Sequence, residues 1–162
     1  MPAVYRLAYD VYLAAGFCGS NPERMLRHYP HLDGIPETTV LLAKTDGQLV
    51  GSNTVTVDGP AGLPMDVGFR EVVDEIRGQT GVVASSWRLV TDPSCRQGFR
   101  AALKLTRKAF EVVRQQGTNV GLIVVHPRHE SYYERFGFRT IARGRCEEVG
   151  GQPGLLMRVD FT

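Results

Sequence analysis

The feature that most constrains this chain is an apolar strand, a long amphipathic helix and a second apolar strand in direct succession. Residues 81–92, GVVASSWRLVTD, read as a strand that Asp92-Pro93 brings to an end. In residues 95–117, CRQGFRAALKLTRKAFEVVRQQG, apolar side chains recur at helical spacing. Phe99, Leu103, Phe110 and Val113 form the stripe, and Gly117 lies past its end. Residues 119–127, NVGLIVVHP, make a short apolar run of the kind buried on both faces of a sheet. A strand that returns beside its predecessor after a helical crossover runs parallel to it.

The remaining segments complete a sheet around that pair. TTVLLAKTDGQLVGSNTVTVD, residues 38–58, is a β-hairpin turning at Asp46-Gly47. Val4, Leu7, Ala8, Val11, Tyr12 and Ala15 predict a first helix that Gly16 closes, and Phe69, Val72, Val73 and Ile76 predict another. A short helix from about His129 to Phe136, a strand from about Arg139 and a last strand in GLLMRVDF follow. Between the first helix and the hairpin, CGSNPERMLRHYPHLDGIPET reads as a long connection with a helical turn at Glu23 to His28. Connections of that length are often mobile lids or binding loops. The expected class is α/β with α+β mixed character: a mixed central sheet flanked by helices.

Composition narrows the function. At 162 residues the chain is expected to form a single domain, 1–162. A net charge of +2 excludes bulk attraction to nucleic acid, so electrostatic recognition has to come from local clusters. Cys18, Cys95 and Cys146 are odd in number and have no CxxC spacing, which argues against a disulfide framework or a zinc site and for a reducing, cytoplasmic location. The N-terminus lacks the apolar core of a signal peptide, and no run of 18 apolar residues is long enough to span a membrane. Neither composition nor spacing implies a metal.

Chemistry concentrates in VHPRHESYYERFGFR, residues 125–139. The element order, with Tyr133-Glu134-Arg135-Phe136-Gly137-Phe138 after the second buried strand, resembles the GNAT acyltransferase superfamily. VYRLAYDVYLAAGF, DGQLVGS, LPMDVGF and VHPRHESYYERFGF together resemble its long-chain N-acyl amino acid synthase branch, related to the acyl-homoserine-lactone synthases.

That resemblance implies a GNAT-like fold whose two central parallel strands splay apart, with an acyl thioester lying between Val82–Val90 and Val120–Val125. A strand N–H would polarise the carbonyl near Leu89 and Val90. Tyr133 would be the catalytic proton donor, with Tyr132 beside it and Phe136 and Phe138 as structural anchors. His126 is the candidate acceptor of the amine proton, while Arg128 and His129 share its turn. Trp87 and Arg88 are acceptor or pocket candidates. Strand alternation sends them to opposite faces, and a buried Arg88 requires Glu71, Glu75 or an acceptor carboxylate as partner. His28 and His31, in the long loop, are further acceptor contacts.

No tightly bound cofactor is implied; the co-substrate is acyl-phosphopantetheine on an acyl carrier protein, or acyl-CoA. The superfamily's pyrophosphate loop corresponds here to Arg96-Gln97-Gly98-Phe99-Arg100-Ala101. Phe99 occupies a glycine position and would crowd a diphosphate, although Gly98 offers a glycine one residue earlier. Arg96, Arg100, Lys104 and Lys108, with Arg107 beside them, form a basic ridge that suits an acidic carrier protein, and equally the solvated side of a helix. Ala8, Thr54 and Ser85 stand where the synthases tend to carry charge. The expected function is therefore transfer of an acyl group, fatty acyl first, from a carrier-protein thioester to the amine of an amino acid or similar small molecule. The alternatives are a short-chain acyl-CoA or acetyl-CoA N-acetyltransferase and a non-catalytic acyl or carrier-protein binding module.

Overall fold

The computed structural model describes residues 1–146 and 150–161. Its elements run α1 (Pro2–Ala14), β1 (Thr38–Thr45), β2 (Gln48–Val57), α2 (Asp66–Gln79), β3 (Val83–Thr91), α3 (Gly98–Gln115), β4 (Val120–Val125), α4 (Glu130–Glu134), β5 (Arg139–Cys146) and β6 (Gln152–Asp160). The six strands form one sheet in the order β1-β2-β3-β4-β6-β5, antiparallel throughout except for β3 and β4. The crossover helix α3 thus produces the parallel pair that the sequence implies. Among the described residues, no helix is long and apolar enough to cross a membrane.

Two apolar layers sandwich the sheet, and strand alternation sorts them. On one face, Val83, Leu122 and Leu156 pack against Phe69, Val73 and Ile76 of α2. On the other, Val55 and Ala84 pack against Ala109 and Val113 of α3. Ile123, Leu155 and Met157 meet Phe110 of α3 and the α4 region around Phe136 and Phe138. Gly137, at φ +89°, allows the reversal between those two phenylalanines, a conformation that a side chain would oppose. They anchor α4 in the core, as the sequence suggests.

The long connection departs from expectation. No helical turn forms at Glu23 to His28; a single 3-10 turn appears at Pro30–Leu32 instead. Nor does the segment hang free. Tyr29 and Leu32 are buried against Trp87, and Asn21 and Met25 bond to each other across a tight turn. Tyr29 and Leu32 stand three apart with Pro30 between them, and so short a run carries no period that would tell where they pack.

The parallel pair holds for only three residues, Val83↔Val120, Ala84↔Gly121 and Ser85↔Leu122. β4 then stays with β6 along its whole length, while β3 stays with β2. The β2–β3 register shifts between Ser52 and Thr54, opposite Arg88, whose φ is +55°. This bulge bends β3 away from β4 and parts the sheet at its centre.

The sheet is closely packed just before the parting. A Cβ on Gly121 would sit 3.0 Å from Val159 Cγ1 and 3.2 Å from the Phe161 ring. Gly121→Ala is expected to cost about 1–3 kcal/mol through overpacking, read as a lower urea midpoint at unchanged slope.

Candidate active site

A cavity of about 400 Å³ occupies the parting between β3 and β4. It reaches both faces of the sheet. Tyr12, Phe17 and His28 line it on the side of α1 and the long loop, and Phe99, Ala102 and Tyr132 line it on the side of α3. Beyond Ser85 the edge of β3 that faces β4 has no ladder partner, so backbone polar groups of the segment containing Leu89 and Val90 border the cavity.

Tyr132 and Tyr133 divide as adjacent helical residues must. Their rings stand at 90° with centroids 4.9 Å apart. The Tyr132 hydroxyl is engaged by Thr106 Oγ1 at 2.9 Å, tying α4 to α3. Tyr133 packs edge-on to Phe138 and lines the cavity, and among the described residues no protein group holds its hydroxyl. Burial, and then the neighbouring Tyr132 and Tyr12, push its acidity well below that of an ordinary tyrosine. It is therefore a phenol that burial holds in its protonated form. Tyr12 faces the same space, and burial pushes its pKa up to about 12.

His126 caps the turn after β4. Its Nδ1 accepts the Arg128 N–H at 3.2 Å, which leaves the neutral ring's proton on Nε2. Its ring stacks on Phe17 at 5.2 Å, and Arg128 lies over the same Phe17 at 4.5 Å. Both line the mouth of the cavity, as does His129, whose pKa burial and the Arg128 charge lower.

At the start of α3, Phe99 is not part of the core stripe that its spacing suggests. It is 60% exposed and meets Tyr132 edge-on at the cavity rim. Leu105, Thr106 and Ala109 join the predicted Val113 in the buried stripe, which rotates the face by part of a turn, while Phe110 still packs on the core. Gly98 is buried at the helix start, where a Cβ would come no nearer than 3.5 Å to Thr91. Arg96, Arg100, Lys104 and Arg107 are exposed, and among the described residues none has a carboxylate within ion-pair distance; Lys108 pairs with Glu111 at 3.0 Å.

Arg88 is the largest correction. Its partner is neither Glu71 nor Glu75 but Asp33 of the long loop, bound through both oxygens at 2.9 and 3.1 Å. Arg88 also donates to Thr54 Oγ1 at 3.0 Å, and Tyr5 of α1 donates to Asp33 at 2.9 Å. The guanidinium, whose side chain is wholly buried, lies 4.5 Å over the Trp87 ring. Strict alternation would put the two side chains on opposite faces, but the bulge brings both to the α1 side, where Trp87 also donates to Thr56. A strand period cannot reveal a bulge, and nothing in the sequence marks Asp33 as a partner beyond its being a carboxylate in a loop.

His28 is better placed than a loop residue would suggest, while His31 does not line the cavity. His28 sits at φ +30°, edge-on to Tyr12 at 4.5 Å, with both ring nitrogens buried and without a protein partner. Burial, reinforced by the Arg88 charge and opposed by Asp33, pushes its pKa down to about 4. Tyr12 and Cys146, also in the wall, were not singled out in the sequence; Tyr12 there reads only as part of a helix face. Among the described residues, no group of His, Cys, Asp and Glu side chains is placed to hold a metal ion.

A family model described as N-acyl amino acid synthase FeeM matches residues 3–160. The structure of FeeM, an N-acyl amino acid synthase from uncultured soil microbes, superposes with a TM-score of 0.84 at 21% identity, over 98% of this chain and 88% of that one. A CoA-dependent acyl-homoserine lactone synthase, BjaI, solved with SAM and isopentyl-CoA, gives 0.66 at 17% identity, over 99% and 75%. An acyl-CoA N-acyltransferase from Pseudomonas aeruginosa gives 0.64 at 20% identity, over 96% and 87%. The mixed sheet with its single parallel pair is the fold shared with these acyltransferases and with GNAT acetyltransferases. No curated protein matches the chain.

Two measurements check the site's electrostatics. Asp33→Ala leaves Arg88 buried and uncompensated, so it should lower stability by about 3–5 kcal/mol in chemical denaturation. His28 takes up a proton more readily when unfolded, at its ordinary 6.5, than when folded, at about 4. Its contribution to stability is therefore present above 6.5 and is lost as pH falls from there toward 4. Melting curves between pH 7 and 4 should show a loss that His28→Asn reduces.

Proposed function

The chain belongs to the N-acyl amino acid synthase FeeM family and is an N-acyltransferase, and on that premise we propose that it moves a fatty acyl group from a carrier-protein thioester to the amine of an amino acid or related small molecule. The observation that carries this reading is the mainly apolar cavity passing through the sheet where the β3–β4 ladder ends. A thioester seated in it is reached by the donor from the α3 side and by the acceptor from the α1 side.

Aminolysis forms a C–N bond and breaks the C–S bond; the proton lost by nitrogen is, in net, gained by sulfur. A backbone N–H of the Leu89–Val90 segment would take the developing charge on the carbonyl oxygen. Tyr133, buried and protonated, suits protonation of the departing thiolate. His126, at the mouth, is positioned to pass the amine proton outward. To accept it at Nδ1, His126 would first release the Arg128 N–H.

For the donor, Phe99 forms an exposed apolar centre bordered by Arg96 and Arg100, with Lys104 one turn further along α3. An apolar anchor inside a charged rim is the anatomy of a docking surface, and its sign suits an acidic carrier protein. Two of the similar structures are named for CoA, which makes acyl-CoA the competing donor.

Steady-state rates with dodecanoyl-carrier protein, dodecanoyl-CoA and a truncated dodecanoyl-pantetheine separate these donors. Reversing charge in Arg96→Glu/Arg100→Glu should raise KM for the carrier-protein donor by about tenfold or more and leave the truncated thioester unaffected. Tyr133→Phe should lower kcat by about 10²–10³ with every donor. An unchanged carrier-protein KM in the charge-reversed variant would overturn the carrier-protein reading, and an unchanged kcat would remove Tyr133 from the chemistry.

A further inference from the structure

Among the described residues, two fixed cations line the cavity, Arg88 and Arg128, and no carboxylate does. Arg88 is satisfied inside the fold. Asp33 takes its two terminal nitrogens at 2.9 and 3.1 Å, and the N–H left over, at Nε, is enclosed, with no surface for a ligand oxygen to meet. Arg128 stands exposed at the mouth on the α1 side, and among the described residues no carboxylate lies within ion-pair distance of it. The acid closest to it in the chain, Glu130, is bonded by Thr140 at 2.6 Å and paired with Arg143 at 3.8 Å. The uncompensated charge of the cavity is therefore positive and sits at its entrance.

Arg128 is also held in place. Its guanidinium lies 4.5 Å over the Phe17 ring, and its Nε donates to His129 Nε2 at 3.4 Å. His129 stays available as that acceptor because burial, and then the Arg128 charge, lower its pKa. What remains is the outer edge of the guanidinium, Nη1 and Nη2, a fork of donors that matches the two oxygens of a carboxylate. The same Phe17 ring stacks on His126 at 5.2 Å, and the Arg128 main-chain N–H donates to His126 Nδ1 at 3.2 Å. One ring and one turn thus fix the anion-binding edge and the imidazole relative to each other.

We propose that Arg128 binds the α-carboxylate of an amino-acid acceptor at the mouth of the cavity, and so holds the acceptor's amine on the α1 side of the thioester. This rests on the acyltransferase reading above and assigns the residue that makes it selective for amino acids. In an α-amino acid the nitrogen is one carbon away from the carboxyl group. A carboxylate gripped at the mouth therefore leaves the amine just inside it, beside His126. An exposed pair is also readily exchanged: the acylated product keeps its carboxylate and can leave without breaking a buried ion pair.

Acceptors that differ only at the carboxyl group test the proposal: phenylalanine and leucine, each beside its amide and its decarboxylated amine, compared at equal free-base concentration. Turnover is measured with dodecanoyl-carrier protein and dodecanoyl-CoA, and affinity by calorimetry without donor. Wild type should favour at least one amino acid over its two analogues by about tenfold or more in kcat/KM. Arg128→Gln, exposed and expected to melt with the wild-type protein, should raise that amino acid's KM about tenfold or more with little change in kcat. The same variant should leave the analogues within about twofold. Arg128→Lys, a charge without the fork, should recover part of the loss. Wild type that favours neither amino acid overturns the proposal. So does an Arg128→Gln protein that keeps the carboxylate preference, weakens all acceptors equally, or raises the donor's KM instead. Amino-acid binding that Arg128→Gln abolishes, with no acylation from either donor, would instead sink the acyltransferase reading and leave the carboxylate subsite standing.

Discussion

The structure turns on one residue in one backbone conformation. Arg88 sits at φ +55° in a bulge near the middle of the sheet, a conformation costing a non-glycine residue about 1–3 kcal/mol. What offsets it is the guanidinium's set of partners: Asp33 through both oxygens, Thr54, and the face of Trp87. Because β3 is bent there, it parts from β4 after only three paired residues, and the cavity exists. Because Arg88 then points to the α1 side, it fastens the long loop through Asp33 and the first helix through Tyr5. Strand, loop and helix meet in one ion pair, and each borders the cleft.

How much of this was legible depends on the kind of signal. Elements with a period could be read: the α3 crossover, the hairpin at Asp46-Gly47 and the parallel pair follow from spacing and turn chemistry, and the aromatic anchors around Gly137 from residue type. Features that break a period could not. The bulge inverts the alternation that would separate Trp87 from Arg88. Phe99 continues the apolar spacing of α3 but lies off the buried face, which runs through Gly98, Leu105, Thr106, Ala109 and Val113. Asp33, 55 residues from Arg88 in the chain, is a tertiary contact that no local pattern encodes. Resemblance carried the family and the approximate cleft, while the internal pairing that closes Arg88 had to come from coordinates.

The loop's role changes accordingly. A free lid would open and close over substrate, and its ordering would be charged against binding. Here Tyr29 and Leu32 are already buried and Asp33 is already paired, so the cavity wall on the α1 side is formed before any ligand arrives. Preorganisation of that kind favours affinity through shape rather than through closure. The cost appears as unpaired polar atoms: His28's two nitrogens and Arg88 Nε are enclosed without partners.

Charge is distributed on the same logic. On the α3 side, Arg96, Arg100, Lys104 and Arg107, without ion-pair partners among the described residues, face solvent around Phe99, where a proposed acidic donor would feel them at long range. Inside, the fully buried cation Arg88 is matched by an internal anion, and the phenols of Tyr12 and Tyr133 are held in their neutral forms by burial. A thioester is itself neutral, and charge develops only as the carbonyl is attacked and sulfur leaves. In the proposed reaction, an interior with no unpaired fixed charge among the described residues would leave that developing charge to the oriented groups nearest it, the β3 backbone edge and the Tyr133 hydroxyl. On the proposed reading, the exposed charge would select the donor and the neutral interior would set where the reaction's own charge is met.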